Sequence, residues 1–159
     1  MNCLKSLEEI KSIRSTLKAD NKKVVFTNGC FDLIHAGHID YLNKAKALGD
    51  VLIVGLNSDY SVKRIKGEKR PIINEDERAE IISNIKPVDY VVLFDEDTPA
   101  ELIKELVPDL LIKGADWKID KIVGVEAVLA NGGEVRTIEF INDQSTTKIV
   151  DLITSRYSK

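Results

Sequence analysis

Both histidines of the chain, His35 and His38, lie in one stretch, Asn28-Gly29-Cys30-Phe31-Asp32-Leu33-Ile34-His35-Ala36-Gly37-His38. A three-residue spacing at a helix start brings both imidazoles to one face. The unpaired N–H groups and the dipole of a helix N-terminus add positive potential there. Gly37 lets another group come close to the backbone. Together these suit an anion, most naturally a phosphate. A metal is the other ligand open to a histidine pair, but no third His or Cys stands nearby. Cys30 could act as a nucleophile, yet His35 is the only base at hand and nothing nearby orients it, so that role is disfavoured. Asp32 is the one carboxylate in the stretch; it can meet a metal or bond the backbone amides of its own loop. A second concentration of charge is residues 63–71, KRIKGEKRP, with five Lys/Arg in nine positions. Such a run is either a phosphate-facing loop or a solvated surface.

The elements that must position these groups follow from periodicity. Leu4, Leu7, Ile10, Ile13 and Leu17 predict an amphipathic helix over 4–18. Val24–Thr27 reads as a strand. A helix is expected from Gly37 to Leu48, with Ile39, Leu42, Ala45 and Leu48 inward and Gly49 closing it. The near-continuous apolar run 50–56 reads as a strand covered on both faces. Ser58 can cap a short helix over 60–65. Further helices are expected from residue 74 or 75 to 84, with Ile81, Ile82 and Ile85 inward, and from Thr98 as N-cap with Pro99 in the first turn. Others are expected over 120–130 and, opened by Asp143-Gln144-Ser145-Thr146-Thr147, through Ile153. Strands are expected at 88–94, 110–113 and 134–140. Strands alternating with helices predict a doubly wound α/β domain with a five-stranded parallel sheet and helices on both faces. Ligands of such sheets bind beyond the carboxyl ends of the strands. That rule brings 28–38, 57–70, 113–117 and 141–147 to one rim.

Totals set outer bounds. The 159 residues are read as one domain (1–159), an N-terminal helix over 1–20 and an α/β core over 24–155. A net charge of −3 argues against broad nucleic-acid binding. No apolar run approaches the ~20 residues of a membrane span. The start MNCLKSLEEIKSI is charged throughout, without a signal-peptide pattern. With Cys3 and Cys30 read as free thiols, a cytoplasmic chain with no membrane partner is expected.

The motifs then take on a family character. The stretch NGCFDLIHAGH resembles the HxGH signature of the nucleotidyltransferase family that includes cytidylyltransferases and pantetheine-phosphate adenylyltransferase. VGLNSDYSVKRIKG, KRPI, DERAEII, DEDTPAELI, PDLLIKGADW, ANGGEV and STTKIVD follow in order. Together they look most like the members that make ADP-heptose from D-glycero-β-D-manno-heptose 1-phosphate. The resemblance covers Val24 to Asp151 and implies a Rossmann-like fold. It implies that a substrate phosphate attacks the α-phosphorus of ATP, carried with Mg²⁺, and releases pyrophosphate. By the same resemblance, His35 and His38 hold the triphosphate and stabilise transition-state charge. Lys66, with Lys63 and Arg70, bridges the reacting phosphates, and the backbone at Cys30 and Phe31 lines the nucleotide cleft. Gly114, Asp116 and Trp117 lie beside the base, although the single tryptophan could equally fill the core. Ser145, Thr146 and Thr147 receive the triphosphate at a helix start, and no metal-ligating side chain is assigned. Cytidylyltransferases carry R-T-x-G-I before that Ser-Thr pair. Here Phe140-Ile141-Asn142-Asp143-Gln144 stands there, which favours the heptose-type adenylyltransferases. Relatives are commonly dimeric, so a homodimer is expected. Many relatives are fused to a sugar kinase, which makes a stand-alone form the expectation here. The alternatives are transfer to another small phosphate, such as glycerol 3-phosphate or flavin mononucleotide, and a nucleotide-binding regulatory module without turnover.

Overall fold

Strand residues sort by parity, as a pleated sheet buried on both faces requires. In the computed structural model, which describes residues 3–115, 117–139 and 145–157, Val24, Phe26, Ile53, Val92 and Leu111 enter one apolar layer. Val25, Leu52, Val54, Val91, Leu110 and Ile112 enter the other. The strands are β1 (Leu4–Lys5), β2 (Val24–Gly29), β3 (Val51–Asn57), β4 (Tyr90–Phe94), β5 (Leu110–Gly114) and β6 (Glu134–Ile138). All pair in parallel, in the order β1-β4-β3-β2-β5-β6.

Helices cover both faces. The first layer packs under α1 (Leu7–Ala19), α5 (Ala100–Leu106) and α6 (Val125–Ala130); the second packs under α2 (Ala36–Lys46) and α4 (Glu75–Ser83). The described residues also hold α3 (Asp59–Lys66), a 3₁₀ turn (Ile119–Lys121) and α7 (Thr146–Tyr157). The chain winds outward from β2 through β3 and β4, then returns to β5 on the other side of β2. Connections diverge between β2 and β5, which is where such sheets open a ligand crevice.

Several expectations change. The first helix begins at Leu7, because Ser6 and Glu9 form a reciprocal capping box there. Leu4 and Lys5 are released to pair with Val91 and Val92, so the sheet has six strands rather than five. This N-terminal segment belongs to the core: Ile10 is fully buried, and Arg14 donates to the Val107 carbonyl and to Asp109. On α2 the buried positions are Gly37, Tyr41, Leu42 and Ala45, and Ile39 is exposed. Ile39 stands about 200° around the helix from Tyr41, whose hydroxyl is bonded inside to Thr27 and the Ile112 carbonyl. On α4, Ile81 is likewise exposed and Arg78 is buried. The helix expected over 120–130 breaks at Gly124, where φ is +90° and a Cβ would lie 2.6 Å from Ile103. Pro99 is itself the N-cap of α5, one residue beyond the expected Thr98. Phe140, the expected end of the last strand, lies outside the described residues.

Candidate active site at the switch between β2 and β5

β2 ends at Gly29 and the chain turns sharply through Cys30 and Phe31. Phe31 adopts φ +45°, a region unfavourable for a side chain with a Cβ. The turn tucks its ring inward, 5.3 Å from that of His38. Asp32 follows, buried, with one carboxylate oxygen accepting from the amides of Ile72 (2.8 Å) and Ile73 (3.1 Å). Its other oxygen accepts from Arg70 Nε at 2.5 Å. Asp32 thus bonds amides, but those of a distant segment rather than of its own loop, tying the turn to the residues that follow the basic run.

His35 is the N-cap of α2, in extended conformation, and its side chain does not cap the helix. It stacks on His38 with ring centroids 3.8 Å apart and planes 24° from parallel. The Nδ1 atoms of both rings are buried without a hydrogen-bond partner among the described residues. Burial holds the pKa of His35 below the usual histidine value. Burial, and then repulsion from His35, push His38 down to about 4. Both imidazoles are therefore neutral near pH 7. An anion beside them would oppose both causes and draw protons onto the pair. A Cβ at Gly37 would lie 3.0 Å from His35 Nδ1, so a side chain there would press on the ring.

The basic segment is partly helical. Lys63 and Lys66 sit in the last turn of α3, both exposed, and Gly67 ends the helix at φ +94°. The charges of Lys66, Arg78 and Arg70 all act on the Cys30 thiol and favour its ionisation, but burial outweighs them and raises its pKa. The thiol stays protonated, as its disfavoured nucleophile role requires. Arg70 is engaged with Asp32 through Nε, whereas Lys63 lies exposed one turn before Lys66.

One cleft opens beyond the ends of β2 and β5, lined by residues that include Asn28, Cys30, Phe31, His38, Gly114 and Trp117. Trp117 is 47% exposed, which excludes the core-filling reading. Lys113 Nζ lies 5.6 Å from its ring centroid and 3.5 Å from the Asn28 carbonyl. Asp116 and residues 140–144 lie outside the described residues. Ser145 bonds as an N-cap of α7: its hydroxyl accepts from the Lys148 amide and its carbonyl from the Ile149 amide. Thr146 donates to the Leu33 carbonyl at 3.4 Å, which brings this helix start against the histidine turn. Thr147 is exposed.

A cleft at a sheet switch point, lined by His38 at the start of α2 with His35 stacked on it, suits a polyphosphate. A family model described as cytidylyltransferase-like matches residues 26–151, from β2 into α7. The chain belongs to the cytidylyltransferase-like family. It is accordingly a nucleotidyltransferase, and the matched span contains both the histidine turn and the Ser145–Thr147 helix start. Among its relatives, the bifunctional protein HldE of Citrifermentans bemidjiense is 53% identical over 154 residues, 97% of this chain and 32% of that protein. The HldE of Campylobacter concisus is 55% identical over 150 residues, 94% of this chain and 30% of that protein. The chain thus spans about a third of the length of the curated relatives it matches. The lipopolysaccharide core biosynthesis protein of Thermoplasma volcanium superposes with a TM-score of 0.63 at 33% identity, over 77% of this chain and 99% of that one. The pantoate–β-alanine ligase of Francisella tularensis has the same TM-score of 0.63 at 14% identity, over 92% of this chain and 69% of that one, and so shares the fold.

Some residues of this cytidylyltransferase-like site were not singled out by sequence. Asn28, Tyr41 and Lys113 line the cleft, and Arg78 stands behind it. Arg78 had a signal: it is a charge at helical spacing from Ile82 and Ile85, on the face that must be buried.

Proposed function

We propose that the chain transfers AMP from ATP to D-glycero-β-D-manno-heptose 1-phosphate, giving ADP-heptose and pyrophosphate. The stacked, neutral His35–His38 pair at the start of α2, with His38 lining a cleft that Trp117 borders, is the observation that carries the reading. Identity above half to a segment of HldE, and the ordered motifs from Val24 to Asp151, support the sugar-phosphate acceptor. An oxygen of the acceptor phosphate attacks the α-phosphorus of ATP. A new P–O bond forms as the bond to the bridging oxygen of pyrophosphate breaks, and pyrophosphate leaves with both electrons. No covalent enzyme intermediate is needed, so positioning and charge stabilisation carry the rate. His35 and His38 donate to the triphosphate and Lys66 compensates the charge developing on the transferred group, with Lys63 and Arg70 supporting the acceptor phosphate. The amides and hydroxyls at Ser145–Thr147 receive the phosphate chain, and Gly114, Asp116 and Trp117 border the base. Mg²⁺ enters as part of the nucleotide substrate, on the phosphate oxygens. Asp32 is already bonded to Arg70 and two amides, and the described residues hold no cluster of three His, Cys, Asp or Glu fit for a metal.

The free Cys30 thiol fits work in a reducing, cytoplasmic setting, and among the described residues no helix is long and apolar enough to cross a membrane. Leu152, Ile153 and Tyr157, exposed on one helix, are consistent with a homodimer. Pyrophosphate release across a grid of nucleotides and sugar phosphates tests the reaction. ATP with the heptose 1-phosphate should turn over fastest. Turnover only with CTP and glycerol 3-phosphate would overturn the acceptor, and ATP binding without release for any acceptor would identify a regulatory module.

A further inference from the structure

Arg78 is fully buried on α4, and nothing in the reaction described above uses it. A guanidinium is taken wholly out of water only where its donors are met. Arg78 meets three acceptors. Nη1 donates to the Cys30 carbonyl at 2.6 Å, Nε to the Ile73 carbonyl at 3.0 Å, and Nη2 to the Asp59 carboxylate at 2.8 Å. Each acceptor belongs to a different segment of the chain. Cys30 opens the turn that carries His35 and His38. Ile73 closes the segment that Asp32 holds by its amides. Asp59 starts α3, which ends at Lys66. The planar fork has fixed donor directions, so one rigid group sets the three segments against each other.

We propose that Arg78 is a positioning residue that fixes Lys66 relative to the His35–His38 pair. The inference rests on the nucleotidyltransfer reading, in which Lys66 acts on the transferred phosphate. The lever is α3 itself. A tilt of about 10° at Asp59 moves the far end of an eight-residue helix, ~12 Å long, by roughly 2 Å. A misplacement of about 1 Å can lower turnover ~10²-fold. The other face of α3 is held by Ser58 on Asp95, Ser61 on the Glu96 carbonyl and Arg64 on Asp97, so the helix pivots rather than detaches.

The test is a double-mutant cycle between Arg78→Lys and Lys66→Ala, with turnover and ATP affinity measured well below each variant's Tm. Arg78→Lys keeps the charge and loses the fork. It should lower kcat at least about tenfold and leave the ATP Kd within about threefold. The Lys66→Ala loss should shrink at least about fivefold in the Arg78→Lys background. Additive losses, or wild-type kcat per folded molecule, would overturn the proposal. Should Arg78→Lys not fold, Asp59→Asn takes its place in the cycle, with the same non-additivity expected and additivity again overturning it. A readout without turnover separates this proposal from the reaction itself. In a Cys3→Ser background, the pH dependence of Cys30 alkylation reports the Lys66 charge. Lys66→Ala should raise that midpoint in the wild-type framework and leave it unmoved with Arg78→Lys; equal shifts in both overturn the inference even if no acceptor is turned over.

Discussion

At the scale of residues, His35 and His38 act as a unit. Their rings stack at 3.8 Å and each leaves a buried Nδ1 without a partner. Their replacement should therefore affect ligand chemistry more than folding. His35→Ala or His38→Ala should lower kcat by about 10²–10⁴-fold, with Tm nearly unchanged; steady-state pyrophosphate release with a thermal melt checks both. The depressed pKa of His38 has a second consequence. The unfolded chain takes up a proton near pH 6.5, whereas the folded chain does so only at about 4. Between those values the unfolded state binds more protons, so stability falls as pH drops from 6.5 toward 4 and is level above. A full shift of that size is about 3 kcal/mol, and partial exposure brings it to roughly 2 kcal/mol. Urea titrations at pH 7 and pH 4.5 should show a loss that His38→Asn largely removes. With both imidazoles neutral in the free protein, kcat/KM should show no inflection near pH 6.5.

At the scale of elements, α2 and the turn before it trade helix propensity for access. Gly37 is buried in the first turn of α2, where alanine would favour the helix by up to about 1 kcal/mol. An added methyl would stand 3.0 Å from His35 Nδ1 and spread the stacked pair. Gly37→Ala should leave Tm equal or higher while kcat/KM falls at least about tenfold. Unchanged kinetics with a raised Tm would show that the close approach at Gly37 is not used. Gly124 is the contrasting case, because it sets direction. Its φ of +90° and the packing of Ile103 against it break the expected helix and re-aim α6. Asp32 works between elements, holding residues 70–73 beneath the turn.

For the whole molecule, Asp109 joins three parts at the amino ends of the strands, away from the cleft. It accepts from Arg14 of α1 at 2.8 Å and from the Val24 amide that opens β2 at 2.7 Å, just before β5 begins. Asp109→Ala leaves the largely buried Arg14 with the Val107 carbonyl alone. Equilibrium urea unfolding should show a loss of about 1–3 kcal/mol, with kcat of the folded fraction retained. A fall in kcat without a change in stability would place Asp109 in communication with the rim, contrary to its position.

Local pattern alone was enough for the doubly wound parallel class, because the near-continuous apolar run of β3 and the helical spacing of Leu42 and Ala45 are set by neighbours along the chain. It also placed His35 and His38 together at a helix start, since they stand three positions apart. What it could not place depends on partners far apart in sequence. Leu4–Lys5 is a strand because β4 offers it an edge, 87 positions on at Val91. Asp32 meets Ile72 across 40 positions and Arg78 meets the Cys30 carbonyl across 48. Trp117 stands half in water because the cleft, not the core, lies beside it. Periodicity reports which face of an element is buried, not which distant group it faces. The histidine pair was therefore legible in the chain, whereas the buried Asp32 and Arg78 that hold its surroundings in place arose only on folding.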